Sequence, residues 1–101
     1  MLKTKIQKIT NNKYELIGHL DADSIPELLV QTQPFNELKN ETVIIDLKAV
    51  THSSSAGIAL LLEWLRQANN INLELQFVNM PVKMKAIVEI CGLSDILPII
   101  K

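Results

Sequence analysis

Residues that build cross-linked, metal-bound or membrane-spanning domains are scarce in this sequence. Cys91 is the only cysteine, so the chain cannot form an internal disulfide and has no second thiol for a metal site. The three glycines are widely spaced and form no phosphate-binding loop. The longest apolar stretch, residues 56–62, is far shorter than the roughly 20 residues of a membrane-spanning helix. We therefore expect a cytoplasmic protein with no cofactor, no metal ion and no direct insertion into a membrane.

An excess of positive charge is also absent. Ten lysines and arginines stand against eleven acidic residues, which leaves a formal net charge of -1, and no dense basic block occurs. Nucleic acids and anionic membrane surfaces attract proteins that carry a positive field, so neither is an expected partner.

The length and the order of patterns predict one α/β domain over residues 1–101. A chain of 101 residues is long enough for one hydrophobic core and too short for two. Two extended runs flank the turn-forming segment Asn11-Asn12-Lys13 and predict an opening β-hairpin. The remaining order is helix, strand, helix, strand, helix, and crossovers of this kind are right-handed and leave parallel strands. We expect a small mixed β-sheet with helices from β-α-β crossovers.

Local signals set the expected bounds of these elements. Apolar alternation and β-branched runs predict four strands, at residues 5–9, 14–20, 42–47 and 73–78. Three helices are predicted, from the capping region 21–24 to about residue 31, at 56–68 and at 82–91. Pro34 and the polar residues 36–41 are expected to close the first helical unit, and residues 51–55 to form a polar loop. Gly92 and Leu93 are expected to end the last helix in a Schellman-type motif.

The polar loop ends in three consecutive serines at the start of a helix. Ser54 and Ser55 can each cap this helix, and such a cap stabilises it by about 1 kcal/mol. Capping needs fewer hydroxyl groups than the three present, and the carboxyl ends of strands in open α/β sheets are common binding surfaces. A phosphate on a serine here would face free N–H groups and the positive end of the helix dipole. Both a capping role and a binding or switching role remain open.

The same segment does not resemble a catalytic centre. Ser55-Ala56-Gly57 matches only the second half of the G-x-S-x-G motif, and Ser53 takes the place of its first glycine. His52 is close in sequence but has no evident carboxylate to orient it, and His19 has no partners at metal-ligand spacing. We therefore expect a protein that is not an enzyme.

The helix after the serines is apolar around most of its circumference. Ile58, Leu61, Leu62 and Leu65 follow helical spacing and define the expected core stripe. A second apolar stripe lies beside it, formed by Gly57, Leu60, Trp64 and Ala68. Either this helix is deeply buried, or Leu60 and Trp64 belong to a protein-binding patch, where tryptophan is common.

These segments together resemble the STAS family of anti-sigma-factor-antagonist domains. The main motif of the family reads approximately D-L-S-x-V, three residues, then D-S-x-G-L. It is matched at Asp46, Leu47, Val50, Ser55 and Gly57, with Ile58 as a conservative change. Lys48 replaces a small or polar residue, and Ser54 replaces the second aspartate.

The continuation of the helix, residues 56–66, looks most like the MlaB-type branch of the family. The resemblance implies a STAS subunit that binds the ATPase of the Mla phospholipid-transport ABC complex, peripheral to the inner membrane, and helps to maintain outer-membrane lipid asymmetry. It implies a partner-binding site at Ser54, Ser55, Ala56, Gly57, Leu60 and Trp64. The alternative is an anti-sigma-factor antagonist in which a serine kinase phosphorylates Ser55 and thereby releases an anti-sigma factor.

Overall fold

The structure, a computed structural model, describes residues 4–31 and 41–100. Within these ranges it contains six strands and three helices. In chain order these are β1 (Lys5–Lys8), β2 (Lys13–Leu20), α1 (Ile25–Gln31), β3 (Thr42–Asp46), β4 (Val50–Ser53), α2 (Ser55–Asn70), β5 (Glu74–Val78), α3 (Val82–Ile90) and β6 (Ile99–Ile100). The predicted connection through Pro34 and residues 36–41 lies outside the described residues, except for Glu41. No helix in the described ranges combines the length and the apolar character needed to cross a membrane.

The strands form one mixed sheet in the order β1-β2-β3-β5-β6, and β4 pairs with β2 beside this path. Strands β1 and β2 are antiparallel, with Lys5 opposite Ile17. Strand β3 is parallel to both β2 and β5, and β6 is parallel to β5. The predicted hairpin, the mixed sheet and the parallel strands left by the helical crossovers are therefore confirmed.

Strand β2 pairs with two partners on the same side, one after the other. Its first residues, 13–15, pair with β3, and its last residues, 18–20, pair with β4. The register shifts between Gly18 and His19, and Gly18 has a φ of 106°, which a side chain would strain. This bulge directs the end of β2 toward β4, and thus toward the serine segment.

The prediction of a polar loop over residues 51–55 is wrong for most of its length. Residues 51–53 belong to β4, and Ser55 is already helical. Strand β4 has four residues, most of them polar and partly or fully exposed, so it shows no apolar alternation. It forms because β2 supplies its hydrogen-bonding partners, and pairing between distant segments leaves little local signal.

The predicted end is wrong for helix α2 and confirmed for helix α3. Helix α2 continues through Asn70 rather than ending at residue 68, and the turn comes at Asn72, which has a φ of 57°. Helix α3 ends as predicted, because the Gly92 N–H donates to Glu89 O at 3.0 Å and the Leu93 N–H to Val88 O at 3.0 Å. These are the two bonds of a Schellman motif.

Helix α2 lies across the sheet and supplies much of the core. Its buried residues are Gly57, Ile58, Leu60, Leu61, Trp64 and Ala68. Leu62 and Leu65, which were expected in the core stripe, are only partly buried. The core face of α2 is therefore the second stripe together with Ile58 and Leu61 of the first, and the helix is turned by a fraction of a turn from the predicted orientation.

Candidate functional site

Ser54, rather than Ser55, caps helix α2. The Ser54 hydroxyl oxygen accepts a hydrogen bond from the Ala56 N–H at 3.2 Å, and the Ser54 carbonyl accepts the Gly57 N–H at 3.0 Å. The Ser54 N–H in turn donates to Leu20 O at 3.1 Å, at the end of β2. The cap thus fixes the start of the helix against the sheet.

Ser55 is the first residue of the helix, and its side chain is exposed. Because Ser54 already supplies the cap, the Ser55 hydroxyl is not needed for helix initiation. It lies in the first turn of the helix, where the partial positive charge of the helix dipole accumulates. The structure therefore assigns capping to one serine and leaves the next one accessible.

Gly57 allows the helix to approach the sheet closely. A Cβ atom at Gly57 would lie 2.3 Å from Ser53 Oγ and 2.9 Å from Leu20 Cβ. No side chain fits at these distances unless one of the neighbours moves. Gly57 is buried, so within this domain its role is to seat α2 on the ends of β2 and β4.

Leu60 and Trp64 require a correction. Their relative exposures are 1% and 2%, so they form part of the core and offer almost no surface to a partner. The alternative of a deeply buried helix is the one the structure has, because this face of α2 packs against the sheet. Of the six predicted binding residues, Ser54, Ser55 and Ala56 are the ones with appreciable exposed surface.

The exposed surface that continues from Ser55 runs along a different face of α2. Ala59, Leu62 and Arg66 follow Ser55 at spacings of four, seven and eleven residues, which place them in one row on a helix. Ala59 and Arg66 are exposed, and Leu62 is half-buried. We call these four residues the Ser55 face. The sequence prediction missed this face because it placed Leu62 in the core.

Charge on this part of the helix is locally compensated. Arg66 Nε donates to Glu63 Oε2 at 3.0 Å, and Arg66 Nη2 pairs with the other carboxylate oxygen. This hydrogen bond is the main reason why the pKa of Glu63 is lowered from its ordinary value. The predicted Glu63–Arg66 pair is thus present, as an ordinary surface ion pair.

Two histidines meet at the adjoining ends of β2 and β4. His19 and His52 occupy paired positions, and their ring centroids are 6.0 Å apart. Both side chains are exposed. Across residues 4–31 and 41–100, no cluster of three or more histidine, cysteine or acidic side chains is arranged to hold a metal ion.

The motif aspartate, Asp46, is a buried structural group. Its Oδ1 accepts the Lys48 N–H at 2.9 Å and Asn79 Nδ2 at 3.2 Å, and only 1% of the residue is exposed. The ammonium groups of Lys13 and Lys48 lie 3.9 and 3.8 Å from Oδ2. Asp46 therefore ties the turn after β3 to the turn after β5, and its buried charge is paired, as such a charge must be.

Comparison with known proteins agrees with this fold. The family model described as "Mlab, STAS domain" matches residues 11–99. The chain therefore belongs to the STAS domain family. Anti-sigma-B factor antagonists of Staphylococcus aureus strains NCTC 8325 and COL are each 24% identical over 99 residues, covering 95% of this chain and 92% of the relative.

A solved structure has the same fold. The anti-sigma factor antagonist SpoIIAA, in its unphosphorylated form, superposes with a TM-score of 0.72 at 14% identity, covering 97% of this chain and 88% of the other. The predicted α/β class and STAS fold are confirmed. At this identity, the similarity to SpoIIAA describes the fold alone.

Proposed function

We propose that the chain is a non-catalytic STAS subunit of a phospholipid-transport ABC complex of the Mla type. It binds the ATPase subunit and stabilises or regulates it, and this contact keeps the chain in the cytoplasm at the inner membrane. The observation that carries the proposal is the division of roles between Ser54 and Ser55. The cap is complete without Ser55, whose unmodified hydroxyl stays exposed for docking.

Two further features support this function. Ser54 stands where phosphorylated members of the family have an aspartate, which removes an acidic residue beside the acceptor position. The helix that follows resembles the MlaB-type branch, and the matching family model carries the same description. Neither feature requires Ser55 to be modified.

The proposed mechanism is stabilisation by differential binding. The Ser55 face fits a recess on the ATPase and binds the active arrangement of the ATPase more tightly than the inactive one. A ligand shifts a conformational equilibrium only to the extent of this difference in affinity. The chain itself performs no chemistry in this mechanism.

A second function is favoured by the names of the relatives. The Staphylococcus aureus proteins are anti-sigma-B factor antagonists and align along 95% of this chain. In that function Ser55 would be phosphorylated by a serine kinase, at the positive end of a helix dipole, which favours the charge of the phosphate. Phosphorylation would then release an anti-sigma factor.

Affinity capture from the native host separates the two functions. The tagged chain is compared with Ser55→Asp and with Ser94→Asp. The second variant adds the same charge at an exposed site that follows the C-terminal end of α3. We expect the wild type and Ser94→Asp to recover an ABC ATPase and its permease, and Ser55→Asp to recover much less. Mass spectrometry should find the Ser55 peptide unmodified. Recovery of a kinase or an anti-sigma factor, with a phosphorylated Ser55 fraction, would instead establish the second function.

A further inference from the structure

A groove of about 400 Å³ lies between strand β4 and the start of helix α3. Its walls are the whole of β4 on one side, and Pro81, the first residues of α3 and Ile87 on the other. Strand β4 leads directly into the Ser54 cap and Ser55. The groove therefore borders the surface at which the proposed partner docks, without including Ser55 itself.

The interior of the groove is apolar. Met84 and Val50 line it but expose little surface, with relative exposures of 1% and 7%. Ile87 is half-buried, and Val82 stands at the rim with 82% of its surface exposed. A pocket of this kind favours an aliphatic side chain, because burial of such a side chain removes apolar surface from water on both partners.

The charged side chain that lines the groove is that of Lys83, and none of the lining residues is acidic. The Lys83 side chain is exposed, and its ammonium group forms no ion pair with the described residues, unlike Lys13 and Lys48, which pair with Asp46. A carboxylate on the occupant would complement this charge and orient the occupant.

We propose that this groove binds a short acidic segment of a partner protein, which inserts an aliphatic side chain between β4 and α3 and places a carboxylate beside Lys83. The inference rests on the proposed function only in assuming that a protein partner docks at this end of the domain. It does not depend on whether that partner is an ATPase or an anti-sigma factor. It adds to the Ser55 face a second contact, which provides the chemical selectivity.

Selection from a random octapeptide library against the full-length chain tests the proposal without knowledge of the partner. The enriched peptides are then made with a fluorescent label, and their affinities are measured by anisotropy. We expect them to combine Asp or Glu with Leu, Ile or Val, and to bind more weakly as salt increases.

Three variants locate the binding site. Lys83→Glu reverses the charge at the groove and is expected to weaken binding by about tenfold or more. Val82→Ser removes an exposed apolar side chain and is expected to weaken it by about threefold to tenfold. Lys85→Glu makes the same charge change on the same helix outside the groove, and it should leave the affinity within about twofold. All three residues are exposed, so thermal unfolding should show an intact fold.

Either of two results would overturn the proposal: no enriched peptide, or peptides whose affinity is the same for wild type and Lys83→Glu. The proposed function is judged separately, by the partners that the tagged chain recovers. Capture of an ABC ATPase that is equally strong with Lys83→Glu would retain the function and remove the groove. Acidic peptides that bind the groove, together with capture of an anti-sigma factor, would retain the groove and contradict the proposed transport function.

Discussion

The Ser53 hydroxyl occupies the space that a side chain at Gly57 would need, since a Cβ there would lie 2.3 Å from Ser53 Oγ. Gly57→Ala should therefore lower the free energy of unfolding by about 1–3 kcal/mol, the usual cost of overpacking. In an exposed helix interior the same change would stabilise the protein by roughly 1 kcal/mol. Urea unfolding of the purified domain distinguishes the two outcomes by their sign.

A double-mutant cycle provides the control for this variant. Ser53→Ala removes the nearest atom but leaves Leu20 Cβ at 2.9 Å, so the pair Ser53→Ala and Gly57→Ala should recover part of the lost stability. If the stability losses of the two single variants simply add in the double variant, Ser53 is not the residue that obstructs a side chain at Gly57. An increase in stability for Gly57→Ala alone would contradict the close approach altogether.

The two neighbouring serines should respond differently to removal of their hydroxyl groups. Ser54→Ala deletes the oxygen that accepts the Ala56 N–H and should cost about 1 kcal/mol. Ser55→Ala changes an exposed residue in the first helical turn and should stay within about 0.5 kcal/mol of the wild type. Chemical denaturation of both variants is the measurement. The opposite order would move the cap to Ser55 and would weaken the proposed docking role of its hydroxyl.

The sequence alone does not distinguish these two serines. Both can cap, and a shift of the helix start by one residue exchanges their roles. The backbone pairing of Ser54 N–H with Leu20 O settles the start, and that contact joins residues far apart in the chain. Local patterns predict that a cap exists in this segment but not which residue forms it.

A similar limit explains the misassigned faces of α2 and the missed strands. Because the helix is apolar nearly all round, periodicity identifies two neighbouring stripes but not how much of each one the core covers. Trp64 is buried because of where β2 and β4 place the helix, and this follows from tertiary packing. Strands β4 and β6 have four and two residues and depend on distant partners. The hairpin, β3 and β5 were predictable because their patterns are local and strong.

Asp46 should be the most sensitive charged residue among those described here. Asp46→Ala removes the acceptor for the Lys48 N–H and for Asn79 Nδ2, and leaves Lys13 and Lys48 without their buried partner. We expect a loss of about 1–3 kcal/mol, because the two donors lose their acceptor, whereas the two lysines are largely exposed and stay solvated. Asp95→Ala, at an exposed site, is the control and should change stability by no more than about 0.5 kcal/mol. Equal, small effects in thermal unfolding would mean that the network around Asp46 does not hold the two turns together.

Substitutions at Leu62 and Trp64 should distinguish an effect on partner affinity from an effect on domain stability. Trp64→Ala empties a core site and should cost about 3–5 kcal/mol in the isolated domain, whereas Trp64→Phe keeps most of the packing and should bind the captured partner with unchanged affinity. Leu62→Ala lies on the Ser55 face and should weaken that complex by about tenfold, with a smaller loss of domain stability.

Affinities are measured by titration at a temperature where every variant is folded, so that unfolding does not contribute to the result. If Trp64→Phe weakens the complex while Leu62→Ala does not, the partner contacts the helix from the Trp64 side. Such a contact would require α2 to leave the sheet on binding, because Trp64 is 2% exposed in the free domain. Hydrogen exchange of the α2 amides would then increase in the complex, whereas docking on the Ser55 face should protect them.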